Sequence, residues 1–172
     1  MPGPAIFADA NFLLYVLDER DPAKQARAAA WHDLLWREDR GRTSMQVVSE
    51  VYVNLKRMAG ARMTQQEVWA HASRYLAWEP LPIDREVILL AREVEQRYRI
   101  SWWDSLIVAA AQMQDCSILL TEDLHDGAVF GTLVVRSPFT LEVREPAAAY
   151  DVMPQLASLH RPRGRPRRTA VA

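Results

Sequence analysis

Three short apolar runs constrain this chain most: AIFAD at 5–9, SILLTED at 117–123 and TLVVRS at 132–137. Each is too short for a helix and is bounded by turn or helix signals, so each reads as a buried strand. Between them lie stretches of helical periodicity. NFLLYVLDE follows the first run directly. DPAKQARAAAWHDLLWRED (21–39) has Pro22 at a helix start and is rich in Ala. RTS (42–44) fits a further short strand, and MQVVSEVYVNLKRM (45–58) a helix ended by Gly60. TQQEVWAHASRYLAW (64–78) opens with Thr64 and Glu67 at capping-box spacing. EPLPID is extended, stiffened by Pro80 and Pro82, and Asp84 caps REVILLAREVEQRY. A helix over Trp102–Gln114 leads into SILLTED.

The order β, α, α, β, α, α, β, α, α, β, β is that of an α/β protein with a mainly parallel central sheet flanked by helices. A chain of 172 residues suggests one domain with a sizeable core. The pattern degrades after Phe139. We therefore expect a domain over residues 1–144 and an extension over 145–172. A short helix over Pro146–Leu159 is interrupted by Pro154, and the Pro, Gly and Arg content from Arg161 suggests a disordered tail.

Composition narrows the class. With 49% hydrophobic and 25% charged residues, the chain matches an ordinary water-soluble globular protein. No apolar run approaches the roughly 20 residues of a membrane span, and the N-terminus has no signal-peptide pattern. Cys116 is the single cysteine, which excludes an internal disulfide and a cysteine zinc cluster and favours a cytoplasmic setting. The net charge of −1 hides an asymmetry: residues 161–172 hold five Arg and no acid, leaving 16 basic residues against 22 acids before them. An acidic body handling nucleic acid needs a local offset to its own charge, and a divalent cation supplies one.

The acids are placed where such a cation would sit. Sites in open parallel sheets lie beyond the carboxyl ends of the strands. Asp9 ends the first strand. Asp123 follows the SILL strand, with Glu122 and Asp126 beside it. Asp104 stands in the first turn of the helix leading into that strand. Glu50 lies at the border of the buried face of its helix. Each acid also has a plainer reading. Asp9 caps the next helix; Glu50 is a surface residue; Asp104 partners Ser101 in a capping box; Asp123 and Asp126 form turns. Jointly the plain readings lose ground, because carboxylates converging without a cation repel. The ligands would all be oxygens, and His32, His71, His125 and His160 do not recur at zinc spacing. Mg²⁺ or Mn²⁺ suits such a set, and it supports in-line phosphoryl displacement, in some sites with two ions about 4 Å apart.

FADANFLLYV, VVSEVYVNLKR, SWWDSLIVAAA and LLTEDLHDG, in that order, resemble the four acidic motifs of the PIN-domain nucleases, and within them the VapC-type ribonuclease toxins. The resemblance covers residues 5–140. SPF at 137–139 is similar to the Asn-Pro-Phe that commonly closes the family domain, with Ser137 in place of Asn. The resemblance implies a PIN-like three-layer fold. It makes Asp9, Glu50, Asp104 and Asp123 the metal-binding and catalytic acids, with Asp126 a further ligand and Asn11 and Thr121 in support. It implies Mg²⁺- or Mn²⁺-dependent hydrolysis of RNA to 3′-hydroxyl and 5′-phosphate ends, a homodimer, and inhibition by a cognate antitoxin. Arg57, seven residues after Glu50, is placed to meet an RNA phosphate or an antitoxin carboxylate, or simply solvent. Of Trp102 and Trp103, at least one suits the core or a dimer interface, and base stacking is the lesser reading. The Arg tail either adds salt-dependent RNA affinity or is solvated.

Two rivals stand beside the nuclease. A phosphatase with an Asp nucleophile usually has a second acid two residues on and a nearby lysine, whereas position 11 is Asn and Lys24 and Lys56 are the only lysines. The other rival is a catalytically silent PIN-like module that binds RNA or protein.

Overall fold

The computed structural model describes residues 3–141 and 143. The expectations for the 145–172 extension, its short helix and its Arg tail lie outside these residues. Five strands, β1 (Ile6–Ala8), β2 (Gly41–Arg42), β3 (Ile118–Leu120), β4 (Val129–Phe130) and β5 (Leu133–Arg136), form one sheet in the order β2-β1-β3-β5-β4. All neighbours are parallel except β4 and β5. The central strands β1 and β3 are buried along their whole length, as expected of parallel strands covered on both faces.

Among the described residues six α-helices flank the strands: α1 (Ala10–Tyr15), α2 (Pro22–Arg37), α3 (Met45–Ala59), α4 (Gln65–Ser73), α5 (Arg85–Tyr98) and α6 (Trp102–Met113). Their starts follow from the sequence. Asp9, Asp21, Ser44, Thr64, Asp84 and Ser101 each cap a helix by accepting a backbone N–H on the side chain. The Thr64–Glu67 capping box forms in both directions. Helix α6 is buried continuously from Asp104 to Ala111, which makes it the core helix, packed against α5. Its Ala109–Ala110–Ala111 run lets the backbone approach its neighbours closely.

Two expectations are corrected and one strand is added. EPLPID is not a sheet strand; it makes one parallel bridge, Ser44 to Leu81, because its prolines remove ladder donors. The helix expected over 64–78 is α4 followed by a tighter 3-10 turn at Arg74–Trp78, which ends with Glu79 in the left-handed region. Strand β4 was not foreseen. It pairs with β5 through the Gly131–Thr132 turn, where Gly131 has φ +64°, a conformation that costs glycine little.

The chain leaves β1 for β2 on one side and later returns to β3 on the other. The crevice beyond the carboxyl ends of β1 and β3 is therefore the topological switch point, where ligands bind in open α/β sheets.

Candidate functional site

Register fixes the centre of that crevice. Ala8 is opposite Leu120, so Asp9 and Thr121 leave β1 and β3 side by side. The Thr121 hydroxyl donates to Asp9 Oδ2 at 2.8 Å and accepts from Asn11 Nδ2 and from the Asp123 N–H, each at 3.0 Å. Asp9 Oδ1 accepts the Ala10 N–H at 2.7 Å. Asp9 is thus both the cap of α1 and a carboxylate held in place at the strand ends, so the two readings of it coexist. Asp9 and Thr121 are each 1% exposed. Asn11 Oδ1 is buried without a hydrogen-bond partner among the described residues.

The start of α6 brings the next acid. Asp104 is 1% exposed. The Ser101 hydroxyl accepts the Asp104 N–H at 3.1 Å and donates to Asp104 Oδ2 at 2.6 Å. The carboxylate therefore turns back to the hydroxyl of its cap. Glu50 is half-buried on α3. Gln46 Nε2 donates to Glu50 Oε1 at 2.9 Å and reaches the Trp103 carbonyl at 3.5 Å, which links α3 to the residue before Asp104.

The other expected residues divide clearly. Asp123 is half-buried beside Thr121. Asp126 is committed to the fold: it accepts from Arg136 Nε at 3.2 Å, the Ser137 N–H at 2.8 Å and the Thr140 hydroxyl at 3.1 Å. Glu122 faces Lys24, whose Nζ lies 3.0 and 3.1 Å from its two carboxylate oxygens and 4.8 Å from the Tyr15 and Phe139 ring centres. The Glu122 carboxylate raises the lysine's pKa. Trp102 packs on Val87, Ala91, Leu106 and Ala109, whereas Trp103 is 57% exposed. Cys116 is buried, and burial pushes its thiol up to about 12, so it stays protonated at neutral pH. Arg57 lies on the exposed side of α3, with Nη1 3.4 Å from Asn54 Oδ1. It shares an open groove of about 670 Å³ with Gln46, Glu50, Val53, Ile83 and Trp103.

Among the described residues, no three His, Cys, Asp or Glu side chains group closely enough to hold a metal ion. The residues do fit a hard, hydrated ion. All the candidate donors are oxygens, Asp9 is pre-positioned, and Asn11 Oδ1 is a buried acceptor one hydroxyl away. Mg²⁺ keeps several waters and commonly uses only one or two carboxylates.

Gln46 and the Lys24–Glu122 pair were missed in the sequence. A polar residue at a buried position of α3, one turn before an acid, was the available signal for Gln46. No local pattern marks a pair 98 residues apart.

The PIN domain family matches residues 6–125. A comparison with curated proteins found no match. Among solved structures, VapC20 of Mycobacterium tuberculosis, a Sarcin-Ricin loop cleaving toxin, is 19% identical with a TM-score of 0.52, covering 67% of this chain and 87% of its own. A chain of a toxin–antitoxin complex from Klebsiella pneumoniae is 20% identical with a TM-score of 0.54, covering 80% of this chain and 99% of its own. At such identities the likeness is one of fold. The strand order, the strand-end Asp9 and the family match together place this chain in the PIN-domain family.

Proposed function

We propose that this protein is a metal-dependent endoribonuclease, the toxin of a toxin–antitoxin pair acting in the cytoplasm. The observation that carries the reading is the buried Asp9–Thr121 pair at the sheet's switch point, in a chain that matches the PIN domain over residues 6–125. The fold likeness to VapC20 and to a chain of a toxin–antitoxin complex supports it.

Asp9, Asp104 and Asp123 would hold Mg²⁺ or Mn²⁺, directly or through water, with Asn11 and Thr121 in support. The ion when bound lowers the pKa of the attacking water and offsets charge on the phosphate. Glu50 orients that water and takes its proton. Thr121 keeps Asp9 in one rotamer and fixes the backbone that carries Asp123. Ser101 does the same for Asp104. The groove beside Glu50 receives the RNA strand, with Arg57 against a phosphate. Hydrolysis leaves a 3′-hydroxyl and a 5′-phosphate. A homodimer, and an antitoxin that neutralises the enzyme by covering the site, complete the proposal.

The rival reading is a PIN-like module that binds RNA or protein without cutting. Labelled RNA incubated with the purified protein, with and without Mg²⁺ or Mn²⁺ and beside Asp104→Asn, separates the two. The nuclease reading expects cleavage by the wild type that stops with EDTA and falls steeply in the variant. RNA bound but intact in every metal would establish the silent module instead.

A further inference from the structure

We infer that Gln46 is a positioning residue for Glu50, resting on the reading of Glu50 as the group that takes the water's proton. Gln46 is 7% exposed, although it carries a primary amide on a helix otherwise buried through Val47, Val48, Val51 and Leu55. A buried amide must find hydrogen-bond partners, and this one finds two. One turn along α3 it donates to Glu50 Oε1 at 2.9 Å, and across the gap to α6 it reaches the Trp103 carbonyl at 3.5 Å. The peptide of that carbonyl leads directly into Asp104. The amide thus ties the Glu50 carboxylate to the helix start that holds the buried Asp104.

The physical need is plain. Glutamate has three rotatable side-chain bonds, and a half-buried one left alone samples several rotamers. A proton acceptor displaced by about 1 Å can lose about a hundredfold in rate. A Gln–Glu pair one turn apart on a solvated helix is worth only a few tenths of a kcal/mol. Here the residue is largely buried and its amide bridges two helices, so its role is to select an orientation more than to hold the helix. The start of α3 is fixed independently, by the Ser44 cap and by the Met45 N–H donating to the Leu81 carbonyl at 2.9 Å. Losing the Gln46 amide therefore leaves the helix in place.

Gln46→Met keeps the length and removes the donor. In single-turnover cleavage of labelled RNA by the full chain with Mn²⁺, we expect a rate about 10- to 100-fold below wild type, with RNA affinity within about twofold and the melting temperature little changed. The decisive measurement is the double-mutant cycle with Glu50→Gln, because a residue that acts through Glu50 has nothing to position in that background. There Gln46→Met should lower the residual rate by less than about twofold. Full activity in Gln46→Met, or the same loss with and without Glu50→Gln, overturns the inference while leaving an active wild type as a nuclease. A wild type that leaves RNA intact in every metal overturns the nuclease reading and this inference together.

Discussion

The Thr121 hydroxyl donates to Asp9 Oδ2 at 2.8 Å across 112 residues of chain, and the same oxygen accepts from Asn11 and from the Asp123 N–H. One hydroxyl thus serves three groups at the switch point of the sheet. Thr121→Val keeps the shape and removes that shared partner. It should cost about 1–3 kcal/mol, because three buried or part-buried polar groups each lose a bond. Urea denaturation should show a lower midpoint at an unchanged slope. Thr121→Ser, which keeps the hydroxyl, should recover most of the loss; equal midpoints for Val and Ser would remove the hydroxyl from the account.

Gly41 lies under the indole of Trp78. A Cβ at this position would come within 2.5 Å of Trp78 Cε2 and Cζ2. Trp78 is 5% exposed and packed beside Trp36 and Tyr75, so the ring has little room to retreat. Gly41→Ala should therefore destabilise the fold by about 1–3 kcal/mol through overpacking. Thermal unfolding by circular dichroism measures this, and a wild-type melting temperature would contradict it.

His32 sits in the same aromatic cluster, 5% exposed, with Nε2 accepting from Trp36 Nε1 at 3.0 Å. Burial, then the Arg74 charge, lowers its pKa below 6.5, against a smaller opposing pull from Asp33. The unfolded chain thus binds this proton more readily than the folded one. The histidine costs nothing above about pH 6.5 and destabilises the fold increasingly as the pH falls towards its lowered folded value. His32→Gln keeps an acceptor for Trp36 and does not titrate. The drop in melting temperature between about pH 7 and pH 5 should be smaller in this variant than in wild type.

Lys24 and Glu122 are each about one-third exposed, so their ion pair is partly screened by water. Lys24→Met retains an apolar stem between Tyr15 and Phe139 and removes the charge. Its cost should stay below about 1 kcal/mol. It should shrink further in about 1 M salt, where charges are screened over about 3 Å. Denaturant midpoints at low and high salt test this; a larger, salt-independent loss would show that packing carries the contact.

What the sequence revealed depended on whether a residue's position follows from its neighbours. Asp9 and Asp104 could be placed because a strand end and a capped helix start are local features. Asp126 could not be judged the same way. Its D-G turn is visible, but Arg136 and Thr140 reach it only after the β4–β5 hairpin has turned the chain back. Gln46 looked unremarkable because periodicity shows which face is buried, not which polar atom on that face finds a partner. EPLPID has the extended backbone of a strand, yet a strand also needs N–H donors, which Pro80 and Pro82 lack. Strand order sets positions to within a residue, whereas grouping ligands around an ion depends on individual rotamers.

β1 is made first and ends in the interior of the sheet, between β2 and β3. During synthesis its ladder towards β3 has to wait for residues 118–120, and Asp9 has to wait for Thr121. At about 5–20 residues per second, the 112 intervening residues take on the order of ten seconds to translate. Until then the nascent chain carries an unpaired hydrophobic edge, open to chaperones or to misassembly. Chains broken off upstream of residue 121 lack the shared hydroxyl altogether, so premature termination yields fragments without a complete strand-end centre.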